Sequence, residues 1–348
     1  MQMKRITFFI GNGFDINVGL PTKYSQFYKY YKTQYPEDML AKEIDADYDY
    51  WADMEVGLGK FTSKINEDNE ALFWESEERL EEALADYLEL QTQNIDLDTK
   101  ENAEIMKNSL MRFYEDFPKE QKQDLDRCIR NIGESITYSF VSLNYTNILD
   151  RCVEAGKEVF PKGIGNHKTA NGSEYVHTIG DVLHIHGTIN EELILGVNDI
   201  DQIANEKFKK DVLYRQFLIK SEANKRFGQN KIQDTKQLID NSAIICVFGA
   251  SIGSTDKMWW TYICKWLQTS SHNRLIIFAK NDKQHSRITK HFLFGSENKI
   301  LGKLKENSGL NNDEWANIQS HIYIKFDSNI FRFSIKKNQG ESIEKVQE

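Results

Sequence analysis

The feature that most constrains this chain is its beginning. Residues 4–10 (KRITFFI) are β-branched or aromatic almost throughout and run straight into Gly11-Asn12-Gly13. Such a run reads as a strand buried on both faces, and the glycines read as a tight turn at its carboxyl end. Further strands are expected at 139–143 (SFVSL), 182–185 (VLHI), 193–195, 243–248 (AIICVF), 275–278 and 321–325. Helical patterns fall between them: a polar stretch over 200–238, an amphipathic one over 258–267 and another over 285–294. Apolar strands that alternate with helices belong to a parallel sheet covered on both sides. The expected class is therefore α/β, a doubly wound, mostly parallel, Rossmann-like sheet.

Residues 22–135 break that rhythm. Tyr24, Phe27, Tyr28 and Tyr31 recur at helical spacing, as do Leu80, Ala83, Leu84, Tyr87 and Leu88 within an acidic run. Glycine and β-branched residues are sparse there, so the segment reads as a helical insertion after the first strand. The domain reading is 1–21 plus 136–334 for the sheet, 22–135 for the insertion and 335–348 for a polar tail.

Composition excludes several functions. A chain of 348 residues, 40% of them hydrophobic, can build one large core or two modest ones. Its net charge of −9 repels phosphate backbones, so nucleic acid is not an expected partner. No apolar run is long enough to span a membrane, and the short N-terminal one is not a signal peptide. Cys128, Cys152, Cys246 and Cys264 form no C-x-x-C pair, which fits buried thiols in a reducing cytoplasm and gives no zinc motif.

Four polar clusters fall at predicted strand ends, where sheets of this class hold ligands. In Gly11-Asn12-Gly13-Phe14-Asp15 the glycines allow a phosphate to approach backbone N–H groups, and Asp15 suits ribose hydroxyls. Ile16 takes the third glycine position of a G-x-G-x-x-G motif, so a plain strand-to-helix turn explains the cluster equally well. Asn144, in Asn144-Tyr145-Thr146-Asn147, can orient water or a sugar hydroxyl, or simply serve the turn. His184 and His186 stand two apart, before Gly187. A metal would need more ligands, with Asp181 and Asp199 as candidates; one core histidine and one base at the strand end fit better, with Gly187 letting backbone pass near a ligand. The fourth cluster, Gly249 to Asp256, contains G-x-S-x-G around Ser251, the nucleophile-elbow pattern. Its acid and histidine would have to be Asp282 with His285, or His321; otherwise this is a small-residue loop with Thr255 or Asp256 capping the next helix.

Taken in order, GNGFD…GLPTKYSQF, YWADMEVGL, SLNYTN, HIHGTI with LILGVND, and FGASIGSTDKMWW resemble the AbiH family of bacterial phage abortive-infection proteins over nearly the whole chain. More distantly, the same order is similar to the sirtuin-like NAD-binding fold. That likeness implies NAD as ligand or substrate, with no metal. It implies that Asn144 positions water or ribose near the nicotinamide and that His186 is the base. Gly11 and Gly13 would form the phosphate turn, and Gly249 and Ser251 the loop beneath the adenosine ribose. Thr146 stands where sirtuins carry an acid, and Asp15 where they favour a small hydroxyl. The four-cysteine zinc module of protein deacylases is missing, which leaves hydrolysis of the nicotinamide–ribose bond as the implied reaction. NAD depletion would then account for growth arrest. The competing functions are a non-catalytic nucleotide-sensing or assembly module, a serine hydrolase at Ser251, and a metal-dependent nuclease at His184 and His186. The resemblance also singles out Trp51, Asp53 and Glu55, and it admits a phage-derived trigger and a homo-oligomer as partners. The insertion would serve as lid, clamp or oligomer interface.

Overall fold

The computed structural model describes residues 4–97, 99–191, 193–226, 230–281 and 290–337. The opening run forms β1 (Lys4–Ile10), with α1 (Gly13–Asn17) just after the glycine turn. Four helices follow: α2 (Tyr24–Gln34), α3 (Met39–Ala46), α4 (Met54–Phe61) and α5 (Glu70–Thr92). Then come β2 (Ile95–Leu97), α6 (Thr99–Met111) and α7 (Lys119–Arg130). The sheet resumes with β3 (Ile136–Ser142), α8 (Ile148–Val159), β4 (Gly165–Lys168) and β5 (Glu174–His184). Four short helices lead on: α9 (Glu206–Lys210), α10 (Val212–Leu218), α11 (Lys220–Arg226) and α12 (Lys231–Asp240). The last elements are β6 (Ser242–Phe248), α13 (Lys257–Gln268), β7 (Arg274–Ala279), α14 (Lys290–Ser308), α15 (Asn312–Gln319), β8 (Ile322–Phe326) and β9 (Ile335–Lys337).

The main sheet has seven strands in the order β4-β5-β3-β1-β6-β7-β8. Only β4 runs antiparallel, as the outer arm of a hairpin with β5. The six parallel strands, ranked by position in the chain, stand third, second, first, fourth, fifth, sixth. The chain therefore winds outward from β1 on one side, then crosses over to start again at β6. This reversal opens a crevice at the carboxyl ends of β1 and β6.

Both faces of the sheet are covered, which is why its central strands are apolar without alternation. Ile6, Phe8 and Ile10 pack with Met106 and Leu110 of α6, Leu125 of α7 and Val153 of α8. On the opposite face Phe9, Val141, Ile245 and Ile277 meet Trp260 and Ile263 of α13, Leu304 of α14 and Trp315 of α15. A third core lies among α2–α5, where Phe27, Tyr31, Trp51 and Leu84 pack with Tyr145, Val197, Phe208 and Leu218 from later in the chain. Thus α6 and α7, although inside 22–135, belong to the sheet, whereas α2–α5 form a roof above its carboxyl edge.

Three expectations need correction. Residues 193–195 form no strand; Leu195 is buried in the roof core, so the apolar run serves packing there instead of a ladder. The segment from residue 335 is not polar tail from its first residue, because β9 pairs antiparallel with β2 and Ile335 packs against the sheet core; residues 338–348 lie outside the described ones. The helix placed at 285–294 falls partly outside them as well, and α14 continues to Ser308. Among the described residues no helix is long and apolar enough to cross a membrane.

Candidate functional site

The crevice holds a cavity of about 380 Å³. Its floor is the loops after β1, β3, β5 and β6, and its roof is Tyr24, Asp53, Glu55, Leu84 and Leu88.

The loops after β1 and β6 touch backbone to backbone. Gly11 N–H donates to the Phe248 carbonyl at 3.0 Å, Gly13 N–H to that of Gly249 at 2.7 Å, and Phe14 N–H to that of Gly11 at 2.8 Å. A Cβ on Gly13 would stand 2.5 Å from the Gly249 Cα, and one on Gly11 2.5 Å from the Ala250 Cα. Close packing is therefore what requires these glycines. The N–H groups of Gly13 and Phe14, expected to meet an anion, are already bonded within the turn. Asn12 is fastened to the roof: its Nδ2 donates to the Thr22 carbonyl at 2.7 Å and its Oδ1 accepts from the Thr22 hydroxyl at 2.5 Å.

Asn144, Asp15 and Thr146 form one side of the cavity, and His184 supports Asn144 from outside its lining. The Asn144 backbone is held at both ends, its N–H by Ser142 Oγ at 3.1 Å and its carbonyl by His184 Nδ1 at 3.0 Å. His184 Nε2 meets Asp150 Oδ2 at 2.8 Å. Both ring nitrogens thus face acceptors, an arrangement that favours the doubly protonated ring. Burial pulls its pKa down, but Asp150 and the Asn144 carbonyl raise it on balance. Asp15 is 1% exposed, and its Oδ2 accepts from the Thr146 hydroxyl at 2.7 Å. Burial pushes its carboxyl up to about 7, against the opposing pull of Thr146, the nearby Asn144 amide and His184.

On the other side a buried chain runs His186–Asp256–Lys220–Glu55. His186 Nε2 meets Asp256 Oδ1 at 3.0 Å, and Lys220 Nζ lies 3.2 Å from the same oxygen and 2.6 Å from Glu55 Oε2. Burial opposes the Asp256 charge, but Lys220 and His186 outweigh it and hold the carboxyl well below its usual range. Burial pushes Glu55 up, with Lys220 pulling against it. An ionised Asp256 needs a proton on Nε2, so Nδ1 of a neutral His186 carries the lone pair. Burial first, then the Lys220 charge, depresses the His186 pKa and keeps that lone pair free.

Eight buried side-chain atoms have no hydrogen-bond partner among the described residues, and four of them belong to three cavity residues: Asp15 Oδ1, Asn144 Oδ1 and Nδ2, and His186 Nδ1. Orphaned buried polar atoms are costly, so their concentration around one cavity marks a site awaiting polar partners.

The sequence candidates are distributed as follows. Gly11, Asn12, Asp15, Asn144, His186, Gly249, Ser251 and Asp256 all line this cavity. Gly13 and Gly187 do not; Gly187 has φ +74°, which turns the chain after His186. His184 and His186 bond to different acids and do not converge, while Asp181 pairs with Lys157 and Asp199 caps a turn. Among the described residues no three His, Cys, Asp or Glu side chains gather as metal ligands. Ser251 is exposed, and His186 is committed to Asp256. His321 stands at the amino end of β8, whereas Ser251 lies beyond the carboxyl end of the parallel β6, and Asp282 and His285 lie outside the described residues. Trp51 is core; Asp53 caps α4 through the Val56 N–H. Sequence reasoning missed Lys220, whose only signal is the apolar run Phe217-Leu218-Ile219 just before it. It also missed Tyr24 and Tyr145, which wall the cavity.

Comparison with curated proteins finds no match. Residues 7–279 match the family model described as bacteriophage abortive infection AbiH. That span runs from the first strand to the end of β7 and takes in every cavity residue named above. The chain belongs to the AbiH family of bacteriophage abortive infection proteins.

Proposed function

We propose that this phage abortive-infection protein binds NAD and hydrolyses its nicotinamide–ribose bond. The observation that carries the reading is the set of orphaned atoms on Asp15, Asn144 and His186 around one cavity at the strand-order reversal. The order of the parallel strands is that of dinucleotide-binding sheets, which favours a ligand in this crevice.

The chemistry suits the groups present. The ribose–nitrogen bond breaks with its electron pair going to the nicotinamide ring, which leaves neutral and needs no acid. Water adds to the ribose carbon, and its proton passes to His186 Nδ1, the nitrogen that Asp256 leaves unprotonated. The Asn144 amide and Asp15 Oδ1 supply the donors and acceptor that orient water and the ribose hydroxyls. The two departures from the sirtuin-like pattern offset each other. Where an acid would follow the asparagine there is Thr146, and where a hydroxyl would stand in the first loop there is Asp15. These two side chains hydrogen-bond at 2.7 Å, so acid and hydroxyl have exchanged places within one pair. That exchange favours a working site over a degenerate one.

The test is to incubate the purified chain with NAD and to quantify nicotinamide and ADP-ribose. Release by the wild type is expected, with losses of about 10²-fold or more in Asn144→Ala and in His186→Ala. Because base and orienting amide act as a unit, the double variant should be little worse than either single one. NAD that binds without being cleaved would overturn the hydrolase reading in favour of a sensing module. Cleavage unaffected by His186→Ala would remove the assigned base.

A further inference from the structure

A second cavity, of about 730 Å³, opens on the other side of the loop 249–251, at the carboxyl ends of β6, β7 and β8. The two cavities share Gly249, Ala250 and Ser251 as a common wall. Their chemistries differ. The first holds Asp15, Glu55, Asp53 and Asp256 with a single lysine. The second is lined by Lys280, Lys299 and Lys303 and, among the described residues, by no aspartate or glutamate. Lys280 directly follows β7, while Lys299 and Lys303 stand one turn apart on α14, on the face that also carries Ser296 and Ile300. None of the three lysines is in an ion pair among the described residues. Behind them Ile252, Ile277 and Phe326 form an apolar floor.

A concave patch of cations with no ion pair among the described residues, on a chain of net charge −9, asks for an anion, and an apolar floor asks for a flat ring. The glycine turn meets the first demand less well, because its N–H groups at Gly13 and Phe14 are spent on Gly249 and Gly11 and it carries no cation. We infer that phosphate recognition in this protein lies in the lysine cavity. The two cavities make one bipartite site, in which Lys280, Lys299 and Lys303 hold the nucleoside diphosphate arm. The ribosyl bond to be cut then lies beside Asn144 and His186. This assignment rests on the NAD reading for the second half of the ligand, but the lysine cavity can be tested alone.

The experiment is calorimetric titration of the full chain with ADP, adenosine and inorganic phosphate. ADP should bind, and adenosine and phosphate should each bind far more weakly, since each satisfies one demand only. Exposed charge pairs contribute modestly, so Lys299→Gln with Lys303→Gln should weaken ADP roughly tenfold. Melting temperature should stay unchanged, because both lysines are exposed. Raising the salt from about 0.1 to about 0.5 M should weaken ADP binding to the wild type in the same direction. ADP binding that ignores both lysines, or no ADP binding at all, overturns the inference. The two readings fail separately. NAD cleavage without lysine-dependent ADP binding defeats the bipartite site alone. Lysine-dependent ADP binding without NAD cleavage defeats the hydrolase alone.

Discussion

Asp15 shows what the site costs the fold. Its ordinary pKa of 3.8 rises to about 7 on burial, and it has no ion-pair partner among the described residues. Between those two values the folded chain keeps a proton that the unfolded chain has lost. The stability linked to Asp15 is therefore complete below about pH 4, drains away as pH rises through 7, and stays lost above it. Asp15→Asn keeps an acceptor for the Thr146 hydroxyl and cannot ionise. It should raise stability at pH 8 by roughly 2–4 kcal/mol and flatten the slope between pH 4 and 7. Urea denaturation at several pH values measures this, and an unchanged slope in the variant would remove Asp15 as its source. On the proposed function the same substitution should impair NAD hydrolysis, the usual exchange of stability for function. At this scale the sequence was partly legible. Asn144 and His186 announced themselves by standing at predicted strand ends beside glycine or a second polar residue. Lys220 did not, because one lysine in a polar helical stretch looks like any solvated one until tertiary packing buries it.

The elements that locate the site are the two loops pressed together after β1 and β6, and their glycines differ in what they tolerate. Gly249 has φ +66°, and a Cβ there would sit 2.6 Å from the Phe14 nitrogen. Gly249→Ala combines a left-handed backbone with a backbone clash and should cost roughly 2–4 kcal/mol. Gly253, four residues on, has nothing nearer than 3.7 Å to an added Cβ, so Gly253→Ala should be neutral within about 0.5 kcal/mol. Thermal melts of the two variants check the contrast; equal effects would mean that the loops do not pack as described. The strands flanking these loops were legible because continuous apolar runs leave little choice. The hairpin arm β4 (GNHK) was not, since its pairing is fixed by β5 and by His167 bonded to His177 at 2.9 Å, and not by any apolar pattern of its own. Residues 193–195 misled for the opposite reason: an apolar triplet says buried, and cannot say whether a sheet or a helical core will bury it.

At the scale of the molecule, roof and sheet are joined by one lysine shared between two carboxylates. Glu55 arrives on α4, Asp256 on the loop after β6, and Lys220 at the start of α11 bridges them. The roof core closes the same joint with Tyr145, Leu195 and Leu218, so α2–α5 cannot be lifted off without uncovering apolar surface on both parts. Helices between β1 and β3 were legible from their spacing, but not their division into a roof and a pair of sheet-covering helices, which depends on contacts far apart in the chain. Lys220→Met tests the joint. It leaves two carboxyls buried without their cation, a change that typically costs about 3–5 kcal/mol. Burial already pushes the Glu55 carboxyl up, and losing Lys220 removes the largest effect opposing that rise. Glu55 in the variant then takes up a proton as pH falls and escapes its own penalty. The cost of Lys220→Met should accordingly be large at pH 8 and distinctly smaller at pH 5, in urea denaturation followed by both tryptophan fluorescence and circular dichroism. The two probes should report one transition, because the core of the roof includes residues of the sheet's own loops. An equal cost at both pH values would show that Glu55 is not buried against Lys220, and two separated transitions would show that the roof folds on its own.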